Sequence, residues 1–182
     1  MTVSRWIALF RGVNVGGNNK LPMAELRDMA SGLGFSSVAT YIQSGNLVLT
    51  APSVMSADDI EATLADAIAT RFGFRPVILV RSPSDFATAL DRNPFADRVT
   101  QGKQLHLFFY DGSPYKWDDE TIRALTVDGE GVALTPGLVY LYARDGIGRS
   151  KLAEKLPRYL PARHSARNLN SVQAILALAR VP

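Results

Sequence analysis

Three short runs of uninterrupted apolar residues, Trp6–Phe10, Leu47–Leu49 and Val77–Val80, restrict this chain more than any other feature. Each is too short for an ordinary helix and holds no polar residue to turn toward water, so each reads as a strand buried on both faces. Stretches of helical spacing separate them. Pro22 to Leu33 repeats Met23, Leu26, Met29, Ala30 and Leu33 and is closed by Gly34, which suits a C′ position. A second stretch opens on Ser56 as a cap, with Asp58 and Asp59 at the positive end of the helix dipole, and carries Ile60, Leu64, Ala67, Ile68 and Phe72 before Gly73. Ser37 to Gln43 and Asn46 to Thr50 flank Ser44-Gly45 as a hairpin. The resulting order βαββαβ over residues 1–82 is that of a ferredoxin-like unit. Helices cover only one face of such a sheet, so the continuous apolar runs imply that the second half, or a partner subunit, covers the other.

Residues 83–182 repeat the theme less cleanly. Ser84 to Leu90 reads as a short helix, Gln104 to Tyr110 as a strand and Asp118 to Leu125 as a helix. Gly131 to Leu134 and Leu138 to Ala143 then flank the turn Thr135-Pro136-Gly137, and helices near Ser150 to Leu156 and Leu169 to Ala179 finish the chain. The expectation is an α+β fold: a ferredoxin-like subdomain followed by a partly eroded βαββα unit with basic C-terminal helices. The two either pack as subdomains or form one integrated domain.

With 182 residues and 47% apolar content, such a chain buries a core without covalent staples. Zero cysteines remove disulfides, thiolate catalysis and sulfur-ligated metals, and fit a reducing cytoplasm. The first residues carry one charge before five strongly apolar ones, too few for a leader core or a membrane span, so a cytoplasmic protein without membrane contact is expected. His106 alternates within a strand and His164 sits in basic sequence; neither has metal-ligand neighbours, and no metal or cofactor is expected. Asp58-Asp59 and Asp118-Asp119-Glu120 read as helix N-terminal acids rather than catalytic pairs.

Between Arg144 and Arg167 lie seven cations and two anions, while the whole chain carries only +3. A segment this asymmetric attracts phosphates, nucleic acid or acidic partners when its charges are not simply a solvated helix face. Arg11-Gly12-Val13-Asn14-Val15-Gly16-Gly17-Asn18-Asn19-Lys20, between the first strand and the first helix, is the strongest candidate site. Glycines admit close backbone approach, a helix start offers unpaired N–H groups, and Arg11 and Lys20 supply charge. The stretch matches neither the Walker pattern nor the dinucleotide fingerprint. A rigid connection whose asparagines bond the backbone is the alternative. Gly146 to Lys151, with Ser150 and Lys151, and Arg167-Asn168-Leu169-Asn170-Ser171, with Asn170 or Ser171 as cap, are two further cation-bearing helix starts. The hairpin Tyr41 to Asn46 offers two amides and a hydroxyl. Taking the first and third strands as parallel puts this hairpin and the Arg11 to Lys20 loop at opposite ends of the sheet, beyond reach of one small ligand.

These residues resemble the uncharacterised bacterial family called domain of unknown function 1697. The likeness rests on Arg11 to Lys20, on Thr40-Tyr41-Ile42-Gln43-Ser44-Gly45-Asn46, on Asn93-Pro94-Phe95, on Ser150-Lys151-Leu152 and on Arg167-Asn168-x-Asn170. It implies ferredoxin-like units and a cytoplasmic protein, and brings no activity. Where the family often has Thr-Arg-Asn-Trp-Asn-Thr, this chain has Ala166-Arg-Asn-Leu-Asn-Ser171, which removes an aromatic that would stack on a base. Three functions stay open. The leading one is binding of a phosphate-bearing ligand, a nucleotide or nucleic acid, by Arg11, Asn14, Gly16, Gly17, Asn18, Lys20, Ser150, Lys151, Arg167, Asn168 and Asn170. The others are a small cofactor-independent enzyme acting on an anionic metabolite and a structural or assembly module. No catalytic residue and no oligomeric state follows from the sequence.

Overall fold

The computed structural model describes residues 2–114 and 116–181. The fold is α+β, with two four-stranded antiparallel sheets of order β2-β3-β1-β4 and β6-β7-β5-β8. The chain divides into two compact units, Met1–Thr88 with Gln173–Pro182, and Ala89–Val172.

The first unit runs β1 (Val3–Arg11), α1 (Met23–Gly32), β2 (Ser36–Thr40), β3 (Asn46–Pro52), α2 (Ala57–Phe72), β4 (Val77–Arg81) and the start of α3 (Pro83–Asp91). Its strand order is the ferredoxin-like one. Local chemistry sets the helix ends: Ser56 and Asp59 form a reciprocal capping box, and Gly73, at φ +76°, closes α2. One sheet face, with Ala8, Phe10, Leu47, Leu49, Ile78 and Val80, meets Leu26 of α1 and Ile60, Leu64 and Ile68 of α2 in a single cluster. Ile7, Leu9, Val48 and Leu79 alternate with these residues and are buried as well, so the central strands are shielded on both faces. Arg5 of β1 donates from Nη1 to the Ser37 carbonyl (2.6 Å) and Thr50 Oγ1 (3.0 Å). Its Nε reaches the Ala179 carbonyl (3.3 Å), which places a cation at a helix C-terminus. Burial holds this guanidinium below its ordinary pKa.

The relative direction of β1 and β3 overturns one expectation. They pair antiparallel, with Leu9 opposite Asn46 and Ala8 opposite Leu47. The parallel pair in this topology is β1 and β2, joined by α1; the hairpin turns β3 back against both. The end of β1 therefore adjoins the beginning of β3, and the Arg11 to Lys20 loop and the Tyr41 to Asn46 hairpin leave the sheet at the same end.

The second unit contains β5 (Leu105–Tyr110), α4 (Asp119–Leu125), β6 (Glu130–Thr135), β7 (Leu138–Ala143), α5 (Lys151–Lys155) and β8 (His164–Asn168), leading into α6 (Leu169–Ala179). Phe108, Tyr110, Val139 and Leu141 pack with Ile122 of α4 and Leu152 of α5. Asp118 caps α4 by accepting from Thr121 N, and hydrogen bonding from the Thr121 side chain, then from its backbone N–H, holds the Asp118 carboxyl below the ordinary range. On β7, Tyr140 donates to the Ala89 carbonyl and Tyr142 to that of Arg98, while Phe95 stacks on Tyr142 at 5.8 Å. The Asn93-Pro94-Phe95 motif thus anchors the approach to β5. The sequence reading contained no β8. His164 to Asn168 lacks an apolar alternation, yet it pairs with β5 along its whole length.

Candidate functional site

The loop after β1 builds itself from its own polar groups. Val15-Gly16-Gly17-Asn18 is a two-residue turn closed by Asn18 N donating to Val15 O (3.0 Å). Gly16 (φ +58°) and Gly17 (φ +79°) take the left-handed conformation that such a turn requires at both central positions. Around it, Asn14 N donates to Asn19 O and Asn19 Nδ2 donates to Gly12 O. Asn14 is the hub. Its Oδ1 accepts from Leu21 N (2.8 Å), and its Nδ2 donates to both Leu21 O and Gln43 O (2.9 Å each). The last of these bonds crosses to the hairpin.

The hairpin is locked from within by Asn46, which is wholly buried and donates from Nδ2 to Tyr41 O and Ser44 Oγ. Gly45 lies against the first loop. A Cβ there would stand 2.6 Å from Val13 Cγ2 and 2.7 Å from Phe10 Cβ, at φ +74°, so only glycine fits. Phe10 N donates to Gly45 O across the same contact (2.9 Å). The two loops form one rigid body at one end of the sheet.

Its outward surface carries Arg11, Asn18, Lys20, Gln43 and Ser44, together with two aliphatic side chains, Val15 (66% exposed) and Ile42 (53% exposed). Ile42 has φ +46°, an uncommon state for a β-branched residue. Of the expected site residues in this unit, Arg11, Gly16, Gly17, Asn18 and Lys20 are exposed, whereas Asn14 spends its amide on the fold. Several amides expected to face a ligand, those of Asn14, Asn18 and Leu21, are occupied by the protein's own oxygens. Val15 was not among the candidate residues of this loop, and Ile42 and Gln43 were separated from it because the hairpin was placed at the far end. The hairpin turn itself was the available signal, since it reverses β3 relative to β2.

In the second unit, Ser150 Oγ accepts from Ala153 N as the cap of α5, and Lys151 is exposed beside it. A shallow open depression there is lined by Ile147, Gly148, Arg149, Ser150, Ala153 and Glu154, so it holds charges of both signs. Arg167 is buried in β8, donates from Nη1 to Ser165 Oγ and the Ala166 carbonyl, and has its pKa pushed down to about 10 by desolvation. The cap of α6 is Asn168, whose Oδ1 accepts from Ser171 N, in place of the expected Asn170 or Ser171. Asn170 instead lies over Gly102, where an added Cβ would be 1.9 Å from its Oδ1. Among the described residues no group of His, Cys, Asp and Glu could hold a metal ion, and no helix is long and apolar enough to cross a membrane.

Comparison with known proteins places these motifs in context. The profile of a family described as a protein of unknown function, DUF1697, matches residues 3–140, which takes in both loops of the first unit and the Asn93-Pro94-Phe95 motif; the segments at Ser150 and Arg167 lie beyond it. A conserved bacterial protein from Streptococcus pneumoniae is similar in structure at a TM-score of 0.77 and 25% sequence identity, covering 98% of this chain and 100% of that one. No curated protein matches the chain.

Proposed function

The chain belongs to the DUF1697 family, described without an activity, and we propose that it is a binding protein whose paired loops receive a phosphate-bearing ligand, a nucleotide free or within a nucleic acid. Ile42 carries this reading. A β-branched residue in the left-handed region costs roughly 1–2 kcal/mol that glycine would avoid. Strain held at an exposed position, on loops fixed by Asn14 and Asn46, is the pattern of a surface shaped for something outside the fold. Ile42 and Val15 offer apolar area for a base or sugar, and Arg11 and Lys20 offer charge for phosphate. The Gly16-Gly17 tip lets backbone come close to a ligand without side chains in the way.

The enzyme reading is weaker. Residues 11–20 and 41–46 contain no aspartate, glutamate, histidine or cysteine to act as a base near neutral pH. Charge stabilisation by Arg11 and Lys20 would be all these loops bring to a reaction. The internal use of Asn14, Asn19 and Asn46 equally suits a scaffold, and the same experiment separates the two.

That experiment is a thermal-shift screen with nucleotides, sugar phosphates and short single-stranded oligonucleotides, followed by titration at several salt concentrations. A phosphate-bearing hit that weakens with salt supports the proposal. Lys20→Ala should flatten the logarithmic salt slope by about 1 for a nucleic acid ligand. Ile42→Ser should weaken binding without changing that slope. Absence of any shift across these three classes would leave the scaffold reading in its place.

A further inference from the structure

A sheet edge in the second unit carries an inference independent of the loop pair. Thr135 and Leu138 flank the two-residue turn Pro136-Gly137, and Arg144 N donates to Gly129 O (2.9 Å). Both facts fix the same alternation: residues 129, 131, 133 and 135 exchange hydrogen bonds with β7, and Glu130, Val132 and Leu134 turn their backbone groups away from it. The N–H of Glu130 is taken by the Val127 carbonyl. Among the described residues nothing bonds the five outward groups that remain along β6, namely the carbonyl of Glu130 and both groups of Val132 and Leu134.

The other three sheet edges are blunted. In β2 the register shifts between Ser36 and Ala39, Ser37 has φ +46°, and its carbonyl is held by Arg5. On β4 the outward N–H of Val80 is capped by Glu61 Oε1 of α2 at 2.7 Å. His164, Ser165 and Arg167 of β8 are buried. Among the described residues only β6 combines a regular register with an open side; it has no lysine, proline or bulge, and Leu134 is 37% exposed. Such an edge is a template for another strand.

We propose that this edge pairs with the same edge of a second copy of the chain, antiparallel and two-fold symmetric about Val132. Strand pairing requires outward residues to face outward residues, which sets Val132 opposite Val132 and Glu130 opposite Leu134. The two Val132 residues exchange N–H···O=C bonds, and each Leu134 N–H donates to the Glu130 carbonyl of the other copy. The register is self-complementary: a β-branched pair meets at the axis, and the single charge of each strand, Glu130, faces an aliphatic residue rather than its own likeness. The two four-stranded sheets then become one continuous sheet.

Sedimentation equilibrium across a wide concentration range tests the pairing. Wild-type protein should show a concentration-dependent dimer, and Leu134→Pro should weaken it at least tenfold. That proline removes an outward N–H and leaves the β7 ladder intact, which circular dichroism and the melting temperature would verify. Should Leu134→Pro fail to fold, Val132→Cys gives a second test, because the chain has no cysteine of its own. In the proposed register the two Cα atoms stand about 5.5 Å apart, within disulfide range. Oxidation should then yield a covalent dimer. A monomer at every concentration, a dimer indifferent to Leu134→Pro, or a Val132→Cys protein that stays uncross-linked would each overturn the pairing.

Discussion

Replacing Gly45 by alanine and, separately, Gly16 by alanine isolates the contact that joins the two loops. Both glycines have positive φ, +74° and +58°, so both variants put an L side chain into the left-handed region at about 1–2 kcal/mol each. Each also regains about 0.4–1 kcal/mol from a stiffer unfolded chain. At Gly16 nothing lies within 4 Å of the new Cβ, so the net cost should be about 0–1.5 kcal/mol. At Gly45 the Cβ meets Val13 Cγ2 at 2.6 Å and Phe10 Cβ at 2.7 Å, and overpacking adds about 1–3 kcal/mol. The expected penalty there is about 1–4.5 kcal/mol, larger than at Gly16 by the overpacking alone. Urea unfolding in a Trp117→Phe background reads it cleanly, since Trp6 is then the sole indole and reports on the first unit. Equal midpoints for the two variants, at unchanged slope, would refute the claim that the loops touch tightly enough to forbid one methyl group.

Two other outcomes follow from groups already described. Asn14→Asp keeps the size of the side chain but turns its donor toward the Leu21 and Gln43 carbonyls into an acceptor; it should destabilise the protein at neutral pH. Stability should partly return as pH falls through the carboxylate range and the new group regains a proton, which melting curves at pH 7 and pH 4 would show. For His106, burial lowers the folded-state pKa, so the unfolded chain takes up the proton first as pH drops below about 6.5. Stability should be undiminished above that value and decline beneath it, and His106→Gln should remove that part of the slope; an identical pH profile for both proteins would contradict it.

The first unit was legible where local chemistry decides structure. Ser56 with Asp59, Gly73 after α2, and the apolar runs of β1, β3 and β4 each state their conformation within a few residues. β8 was not legible because Arg167 is buried without an apolar pattern to announce it; its guanidinium is accommodated by Ser165 and a neighbouring carbonyl, a solution visible only in three dimensions. The loops fall between these cases. Their composition foretold a polar, left-handed backbone, and Asn14, Asn19, Gly16 and Gly17 adopt one. Composition could not tell whether an asparagine amide serves a ligand or the chain; the amides of Asn14 and Asn46 bond backbone carbonyls of the chain itself. The shared end of the two motifs was within reach of reasoning, because a hairpin reverses its second strand; the error lay in the direction given to β3.

The bond from Arg5 to the Ala179 carbonyl ties together stretches far apart in sequence. The second unit is one unbroken stretch, Ala89–Val172, whereas the first is assembled from two, Met1–Thr88 and Gln173–Pro182, that lie on either side of it along the chain. Deleting residues 173–182 should therefore loosen the first unit, whose opening strand loses the acceptor for Arg5, while the second keeps every residue it is built from.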